Sequence, residues 1–404
     1  MNNDDLFLDC LPENWDVVKI GSAFDIKQGK SLSSRKQTGE YLKPFLRTSN
    51  VFWGRLDLSH LDEMDFTDDE CKALTLEYGD LLVCEGGDIG RTAIWKNEKK
   101  ECYYQNHLHR LRVKDEKIEP LFIMYWMEVA LTQLGIYEGF GNKTTIPNLS
   151  SSRLKEFILP VPEKKEQQRI AAVLFKIQQA IEIQESIIEK TRELKKSTLH
   201  YVFTHGLRGE KLKETEIGPM PDSWSLKSFA EFATLHRGYD LPIQDRKKGS
   251  VLIVGSNGVA GYHNQARVKG PGVVTGRSGS IGISYYVEDD YWPLNTGLYV
   301  EDFHGNDPLY VHYFFQSFNF SKYAAGVSVP TLNRNLVHAV LISVPPIGEQ
   351  EEIANNLKII DHKIDLYAAK KSVLQDLFKT ILNKLMTGKI RVKDLDIDVS
   401  EVSA

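Results

Sequence analysis

Cysteine is scarce in this chain. It has four in 404 residues, Cys10, Cys71, Cys84 and Cys102, with no C-x-x-C pair among them. That scatter argues against a zinc site or a disulfide framework and fits reduced thiols in a cytoplasmic protein. Long apolar runs are missing too. The longest candidate, "PLFIMYWMEVALTQLGI", is short, aromatic and broken by Glu128, so it predicts a buried helix and not a membrane span. The opening "MNNDDLFLDCLPENW" is acidic and lacks the basic start and apolar stretch of a secretion signal. Catalytic signatures are absent as well: no Walker A loop, no N/D-P-P-Y/F methylase motif, no H-E-x-x-H and no G-x-S-x-G. Bulk positive charge is also lacking. The formal net charge is −5, so any nucleic-acid surface has to be a local cluster.

What is present is a globular composition, 42% apolar and 26% charged, in a chain long enough for two or three domains. The chain also resembles itself. "LPENWDVVKIGSAFDIKQGKSL" (11–32) matches "MPDSWSLKSFAEFATLHRGYDL" (220–241), with Pro12, Trp15, Gly29 and Leu32 on Pro221, Trp224, Gly238 and Leu241. "RTSNV" (47–51) resembles "VGSNGV" (254–259), and "EPLFIMYW" (119–126) resembles "DPLYVHYF" (307–314). "TIPNLSSSRLKEFILPVP" (145–162) resembles "SVPTLNRNLVHAVLISVP" (328–345), and "EQQRIAAVL" (166–174) resembles "EQEEIANNL" (349–357). Chance would not keep this order over so many blocks. The halves share a framework and differ in loop length.

Each half begins with a mixed part, where short β-type runs such as "GDLLVCE" and "GVVTG" alternate with Gly/Asn/Asp turns and an aromatic helix. Each ends in a long helical segment. Proline precedes it, where the missing N–H is harmless, and acids fill its first turn. In the second helix Ile353, Leu357, Ile360, Ile364, Tyr367, Lys371, Leu374, Phe378, Ile381 and Leu385 keep strict 4-3 spacing. The matching seam of the first is Ile170, Leu174, Ile177, Ile181, Gln184, Ile188, Thr191, Lys195, Thr198 and Val202, widened by Val173, Ile187, Leu194 and Tyr201. Helices of about 40 residues span about 60 Å, and seams that long are seldom left to solvent. They are expected to pair with each other, antiparallel. The expected fold is therefore α+β: two similar globular domains separated by two long antiparallel coiled-coil helices, with a pseudo-twofold internal repeat. The boundaries read 1–162 and 206–345 for the domains, 163–205 and 346–388 for the helices, and 389–404 for a tail.

Two similar heads on a rigid spacer suit a target that has two separated parts. Duplex DNA, with half-sites one helical turn of about 34 Å apart, is the obvious candidate. The chain carries globular domain, "P-x-P-x-x-E-Q-x-x-I-A" helix, globular domain, second such helix and a closing "L-M-T-G-K-I-R-V". In this order it resembles the DNA-specificity subunit of type I restriction–modification systems. The residues that carry the likeness are Pro160, Pro162, Glu166, Gln167, Ile170 and Ala171, then Pro345, Pro346, Glu349, Gln350, Ile353 and Ala354, and finally Leu385 to Val392. "TTIPNLS" (144–150) and "SVPTLN" (328–333) also resemble that family's lead-in to the helix.

The resemblance implies a non-catalytic subunit whose globular parts are target recognition domains, each reading one half of a split, asymmetric sequence in double-stranded DNA. It implies that the helices set the spacing and dock two methyltransferase subunits. Those subunits, and the restriction/motor subunits of the full complex, would bring S-adenosylmethionine, ATP and Mg2+; this chain itself needs no cofactor or metal. Two alternatives stay open on the sequence: a coiled-coil scaffold that binds proteins, and the specificity subunit of a type II restriction–methylation system.

Reading base edges takes Arg or Lys for guanine and Asn or Gln for adenine, with further cations for phosphates. The first domain offers Lys30, Arg35, Lys36, Arg47, Asn50, Arg91, His107, His109, Arg110, Asn142 and Lys143. The second offers Arg237, Tyr239, Arg246, Lys247, Lys248, Asn257, Tyr262, His263, Asn264, Gln265, Arg277 and Arg334. A single Arg or Lys is more often a solvated charge, so runs carry more weight. "QDRKKGS" predicts a phosphate-contacting loop, and "GYHNQAR" (261–267) an exposed hairpin rich in base-reading side chains. Asn50 and Asn257 each follow a serine and suit a turn equally well. "HLHRLRV" (107–113) predicts a strand with His107, His109 and Leu111 on one face and Leu108, Arg110 and Arg112 on the other. "KNEKK" (96–100) reads as a solvated loop.

"EGGDIGRT" (85–92) looks like a phosphate loop but lacks the P-loop spacing, and Arg91 stands in place of lysine. It aligns with "RSGSIGIS", placing Gly87, Ile89 and Gly90 on Gly279, Ile281 and Gly282. The expectation is a strand–turn–strand element repeated once per domain, its glycines serving backbone geometry.

Overall fold

The structure, a computed structural model, describes residues 11–31, 42–135, 148–326 and 330–402. It divides into two compact units, Met1–Ile183 with Lys370–Ala404, and Gln184–Ala369. Two long helices, Lys164–His205 and Ile347–Met386, each contribute one half to either unit.

The internal repeat is a repeat of sheet topology. In the first unit an antiparallel sheet runs in the order Phe24–Gln28, Leu108–Val113, Leu81–Cys84, Thr92–Ile94. In the second the order is Thr234–Arg237, Gly297–Asp302, Gly272–Gly276, Ser284–Val287, again antiparallel. A three-stranded sheet accompanies each. Leu42–Leu46 lies between Asp62–Asp65 and Tyr103–Tyr104, and Val251–Gly255 lies between Gly258–His263 and Tyr291–Pro293; the last pairing of each is parallel. A short ladder closes each domain next to its long helix, Asp16–Lys19 with Ile158–Val161 and Ser225–Ser228 with Leu341–Val344.

The aromatic helices also correspond. Pro120–Val129 and Pro308–Ser317 both place proline in the first turn. In the first, Leu121 through Met127 are all buried, as the "PLFIMYW" run predicts. Around the second lies an aromatic cluster of Phe229, Phe232, Phe314, Phe315, Phe318 and Phe320. Between the shared strands the units differ. The first inserts the helix Asp68–Leu74, started by a Thr67–Glu70 capping box. The second adds a hairpin of Leu212–Thr215 with Gly218–Pro221.

Every seam position read from the 4-3 spacing of the two long helices is buried or half-buried. The partners within each unit show how they pair. In the first unit Ile170, Ala171 and Leu174 share a core with Leu382, Leu385 and Met386, so the start of one helix meets the end of the other. In the second, Val202 shares a core with Ile353, Ala354 and Leu357, and Lys195 pairs with Asp361 at 2.7 Å. The pairing is antiparallel in both. Two of the expected stripe-widening residues do not join it. Leu194 and Tyr201 are each 55% exposed, and Tyr201 stacks instead on His205, one turn along its own helix.

The motif at the helix starts is a clamp. Gln167 accepts the Glu119 amide at 2.9 Å and donates to the carbonyls of Lys117 and Pro162 at 2.9 and 2.8 Å. Gln350 accepts the Asp307 amide at 3.0 Å and donates to Asn306 and the Pro345 carbonyl at 2.8 and 3.0 Å. Both are buried. Each glutamine satisfies backbone groups at the head of the aromatic helix and of its own long helix at once. The preceding glutamates diverge: Glu166 pairs with Arg391, whereas Glu349 accepts the Trp224 indole N–H at 3.0 Å and the Leu207 amide at 2.7 Å. The tail is docked, with Val392 and Val402 in the first unit's core and Glu401 on Lys176 at 2.6 Å.

Candidate nucleic-acid interface

The glycine turn singled out in the sequence is one element built twice. Gly87 and Gly90 have φ of 75° and 79°, and Gly279 and Gly282 have 79° and 84°. Each pair sits between adjacent antiparallel strands, Leu81–Cys84 and Thr92–Ile94 or Gly272–Gly276 and Ser284–Val287. Left-handed backbone at these points accounts for the glycines without a ligand. A second shared glycine serves close approach. A Cβ on Gly29 would strike the Tyr104 carbonyl, and one on Gly238 would strike the Leu294 carbonyl. The next residue in each, Lys30 or Tyr239, then bridges in parallel to Gln105 or Leu294.

In the second unit that crossing brings candidates together. Tyr239 donates its amide to Pro293 at 2.8 Å, and its hydroxyl meets that of Tyr299 at 3.0 Å. Trp292 packs edge-on to it, centroids 6.4 Å apart. Arg246 donates from Nη1 to the Ala260 carbonyl at 2.8 Å, tying the "QDRKKGS" loop to the strand Gly258–His263. His263 is buried edge-to-face with Trp292, and its Nδ1 accepts the Lys247 amide at 3.0 Å. The Lys247 and Lys248 side chains stay exposed, as do Tyr262, Asn264 and Gln265. From Arg237 to Lys269 the chain has six Lys or Arg (237, 246, 247, 248, 267, 269) against two acids (240, 245), a local excess of four in a chain of net −5. A local excess of positive charge of this kind is compatible with a nucleic-acid surface.

The remaining second-domain candidates sit around it. Arg237 is exposed and reaches Asp240 at 3.5 Å. Asn257 is exposed at the hairpin tip and accepts the Ser280 hydroxyl at 2.5 Å, linking the tip to the glycine turn. Arg277 is half-buried; its amide donates to Thr296 and its carbonyl accepts from Leu332. Arg334 reaches the Leu235 carbonyl at 3.4 Å.

A match to a family model decides the kinship. The model of the type I restriction modification DNA specificity domain covers residues 12–192 and again 221–376, one copy per repeat. The chain belongs to this family. It is 25% identical over 407 residues, 95% of either chain, to the MjaX protein of Methanocaldococcus jannaschii, to which the role of a type I restriction enzyme specificity subunit is ascribed. To the type I restriction enzyme MjaVIII specificity subunit of the same organism it is 23% identical over 420 residues, covering 96% of this chain and 95% of that one. Among solved structures, the type I restriction-modification S subunit from M. genitalium superposes with TM-score 0.59 at 19% identity, over 92% of this chain and 96% of that one. A chain from a study of the assembly and conformational transition of the type I R-M system gives 0.58 at 13%, over 94% and 99%. These two likenesses establish the fold.

Several candidates in the first specificity domain are committed to the frame by burial. Lys30 sends its ammonium to Glu70 and the Asp65 carbonyl beneath the Phe66 ring. Arg110 is buried against Asp25 at 2.9 Å. His109 is buried and donates from Nε2 to the Leu149 carbonyl at 2.9 Å, and burial lowers its pKa. The expected strand is present as Leu108–Val113, one residue after His107, and residues 108–111 are buried on both of its faces. Asn50 is buried too: it accepts the Arg47 amide and donates to the carbonyls of Asp57 and His60, which is the turn role. Arg47 is exposed with Asp62 at 2.6 Å. Arg91 lies over Phe52, donating to the Thr48 carbonyl at 3.1 Å and reaching Asp88 at 3.3 Å. His107 is exposed near Glu85. Arg35, Lys36, Asn142 and Lys143 lie outside the described residues.

Sequence reasoning passed over two side chains of the specificity domains. Arg55 lies over Phe52 at 5.1 Å, and Arg267, exposed, lies over both Tyr239 and Trp292 at 5.2 and 5.5 Å. Arg267 ends the quoted "GYHNQAR" block, but its aromatic partners are distant in sequence, so no local signal marks it.

Proposed function

We propose that this chain is the non-catalytic DNA sequence-specificity subunit of a type I restriction–modification complex, and that each domain reads one half of an asymmetric, two-part target. The observation that carries this is the doubled family match laid over a doubled fold. One strand frame recurs with different loops on it, as expected if each copy reads different bases from a common mount. The antiparallel long helices are read as the spacer and as the docking surface for two methyltransferase subunits. Those partners would supply S-adenosylmethionine-dependent adenine methylation, and restriction/motor subunits would add ATP- and Mg2+-dependent cleavage in the cytoplasm. In the second domain, Lys247 and Lys248 are assigned to phosphates, and Tyr262, Asn264 and Gln265 to base edges.

The test is methylome sequencing of the host with and without the gene. Loss of one bipartite adenine-methylation motif is expected; an unchanged methylome refutes the reading. A paired K247A/K248A variant should weaken binding evenly across sequences. It should also flatten the plot of log K against log salt by about 0.9 for each phosphate that is no longer neutralised.

A further inference from the structure

Arg267 is an exposed guanidinium of the second unit with a fixed backbone and an aromatic seat. Its backbone is fixed: the Arg267 and Val268 amides both donate to the Tyr291 carbonyl at 3.0 Å, and the Tyr291 amide returns a bond to Val268 at 2.9 Å. Its side chain rests over the Tyr239 and Trp292 rings, at 5.2 and 5.5 Å from their centroids. That platform is itself braced. Tyr239 is held by its amide on Pro293 and its hydroxyl on Tyr299, and Trp292 by the edge-to-face contact with buried His263. Arg267 is exposed, and no carboxylate pairs with it among the described residues.

These features matter because an arginine usually spends rotamer entropy when it binds. Cation–π contact with two rings set at 74° to each other restrains the planar fork in advance while leaving N–H groups free to donate. A restrained, unpaired fork suits bidentate donation to guanine O6 and N7, the commonest specific arginine contact with DNA. A phosphate needs less: a flexible lysine suffices, and the exposed Lys247, whose amide donates to His263, and its neighbour Lys248 supply that.

We infer that Arg267 is a specificity-determining residue that reads a guanine in the half-target of the second domain. Tyr239 and Trp292 are its positioning residues. This rests on the DNA-specificity reading above. The experiment is to express the wild type, R267A and R267K with the cognate methyltransferase in the host and read each methylome. Arg267→Lys keeps the charge and the stem and loses the fork.

The expected result is relaxation at a single base position of one half-motif in both variants, with discrimination against the other bases falling about tenfold to a hundredfold. The half-motif read by the first domain should not change, which also shows that the variants fold and assemble. A uniform loss of methylation in R267A that R267K restores would make Arg267 a phosphate contact and overturn the inference. So would an unaltered motif in both variants. Total loss of methylation in R267A is resolved by R267K: wild-type discrimination there also overturns it. If the wild-type gene itself confers no bipartite motif, the DNA-specificity reading fails first.

Discussion

Arg391 lays Nε and Nη2 on the two carboxylate oxygens of Glu166 at 2.6 and 2.7 Å, with its guanidinium over the Trp15 ring. Glu166 is only 2% exposed, so its charge depends on this one bidentate partner. The pair joins the start of the first long helix to the segment that leaves the second, and it lifts the arginine's pKa still further. Removing the arginine strands a buried carboxylate, which costs far more than the pair itself contributes. Arg391→Ala should destabilise the first unit by about 3 kcal/mol, whereas Glu166→Gln with Arg391→Met should recover most of it. Denaturant midpoints of the three proteins check this; equal stabilities of the single and double variants contradict it.

The two clamp glutamines predict matched losses. Gln167 and Gln350 each satisfy an amide at the head of the aromatic helix and the carbonyl of the proline before the long helix. Truncation to alanine leaves these groups buried and unpaired at about 1–3 kcal/mol each. Gln167→Ala should therefore cost about as much in its unit as Gln350→Ala does in the other. A fall in hydrogen-exchange protection confined to residues 117–123 or 306–311 would locate the damage.

This symmetry also explains what was legible in the sequence. The repeat, the seams and the aromatic helices show as local spacing, because burial imposes period on one element at a time. The "E-Q" pair was visible as a family mark, but its work as a clamp was not, since its partners are loop carbonyls and amides. For the candidate interface the limit is sharper. Lys30, His109 and Arg110 look like surface cations until the sheet buries them against Glu70, Leu149 and Asp25. Arg267 looks ordinary until the fold brings Tyr239 and Trp292 beneath it. Contacts of this kind have no sequence period.

Glu128 gives the pH dependence. Desolvation raises its carboxyl to about 7, above the ordinary carboxylate range. The folded chain thus keeps a proton that the unfolded chain releases near pH 4.5. The stabilising protonated form is fully present below that pH, and its contribution is lost as pH rises through about 7. Glu128→Gln should abolish this slope and stabilise the first unit by about 3 kcal/mol at about pH 8, with little change at about pH 4. Urea midpoints across that range decide it; a parallel shift at all pH values would mean that titration is not the cause.

The shared glycines separate two reasons for one residue type. At Gly279 nothing lies within 4 Å of a built Cβ, but φ is +79°, so Gly279→Ala meets only backbone strain of about 1–2 kcal/mol. At Gly238 no left-handed φ is involved. There a Cβ meets the backbone carbonyl of Leu294 directly, with the Pro293 oxygen 2.6 Å away. Backbone cannot step aside as a side-chain tip can, so Gly238→Ala should cost about 3 kcal/mol or more. It should also part the Tyr239–Leu294 crossing that seats the Arg267 platform. Two readouts distinguish the variants. Gly279→Ala should lower the melting temperature modestly and leave the fluorescence of Trp292 unchanged. Gly238→Ala should lower it more and redden that fluorescence, and equal effects from both would show that the crossing is softer than its geometry implies.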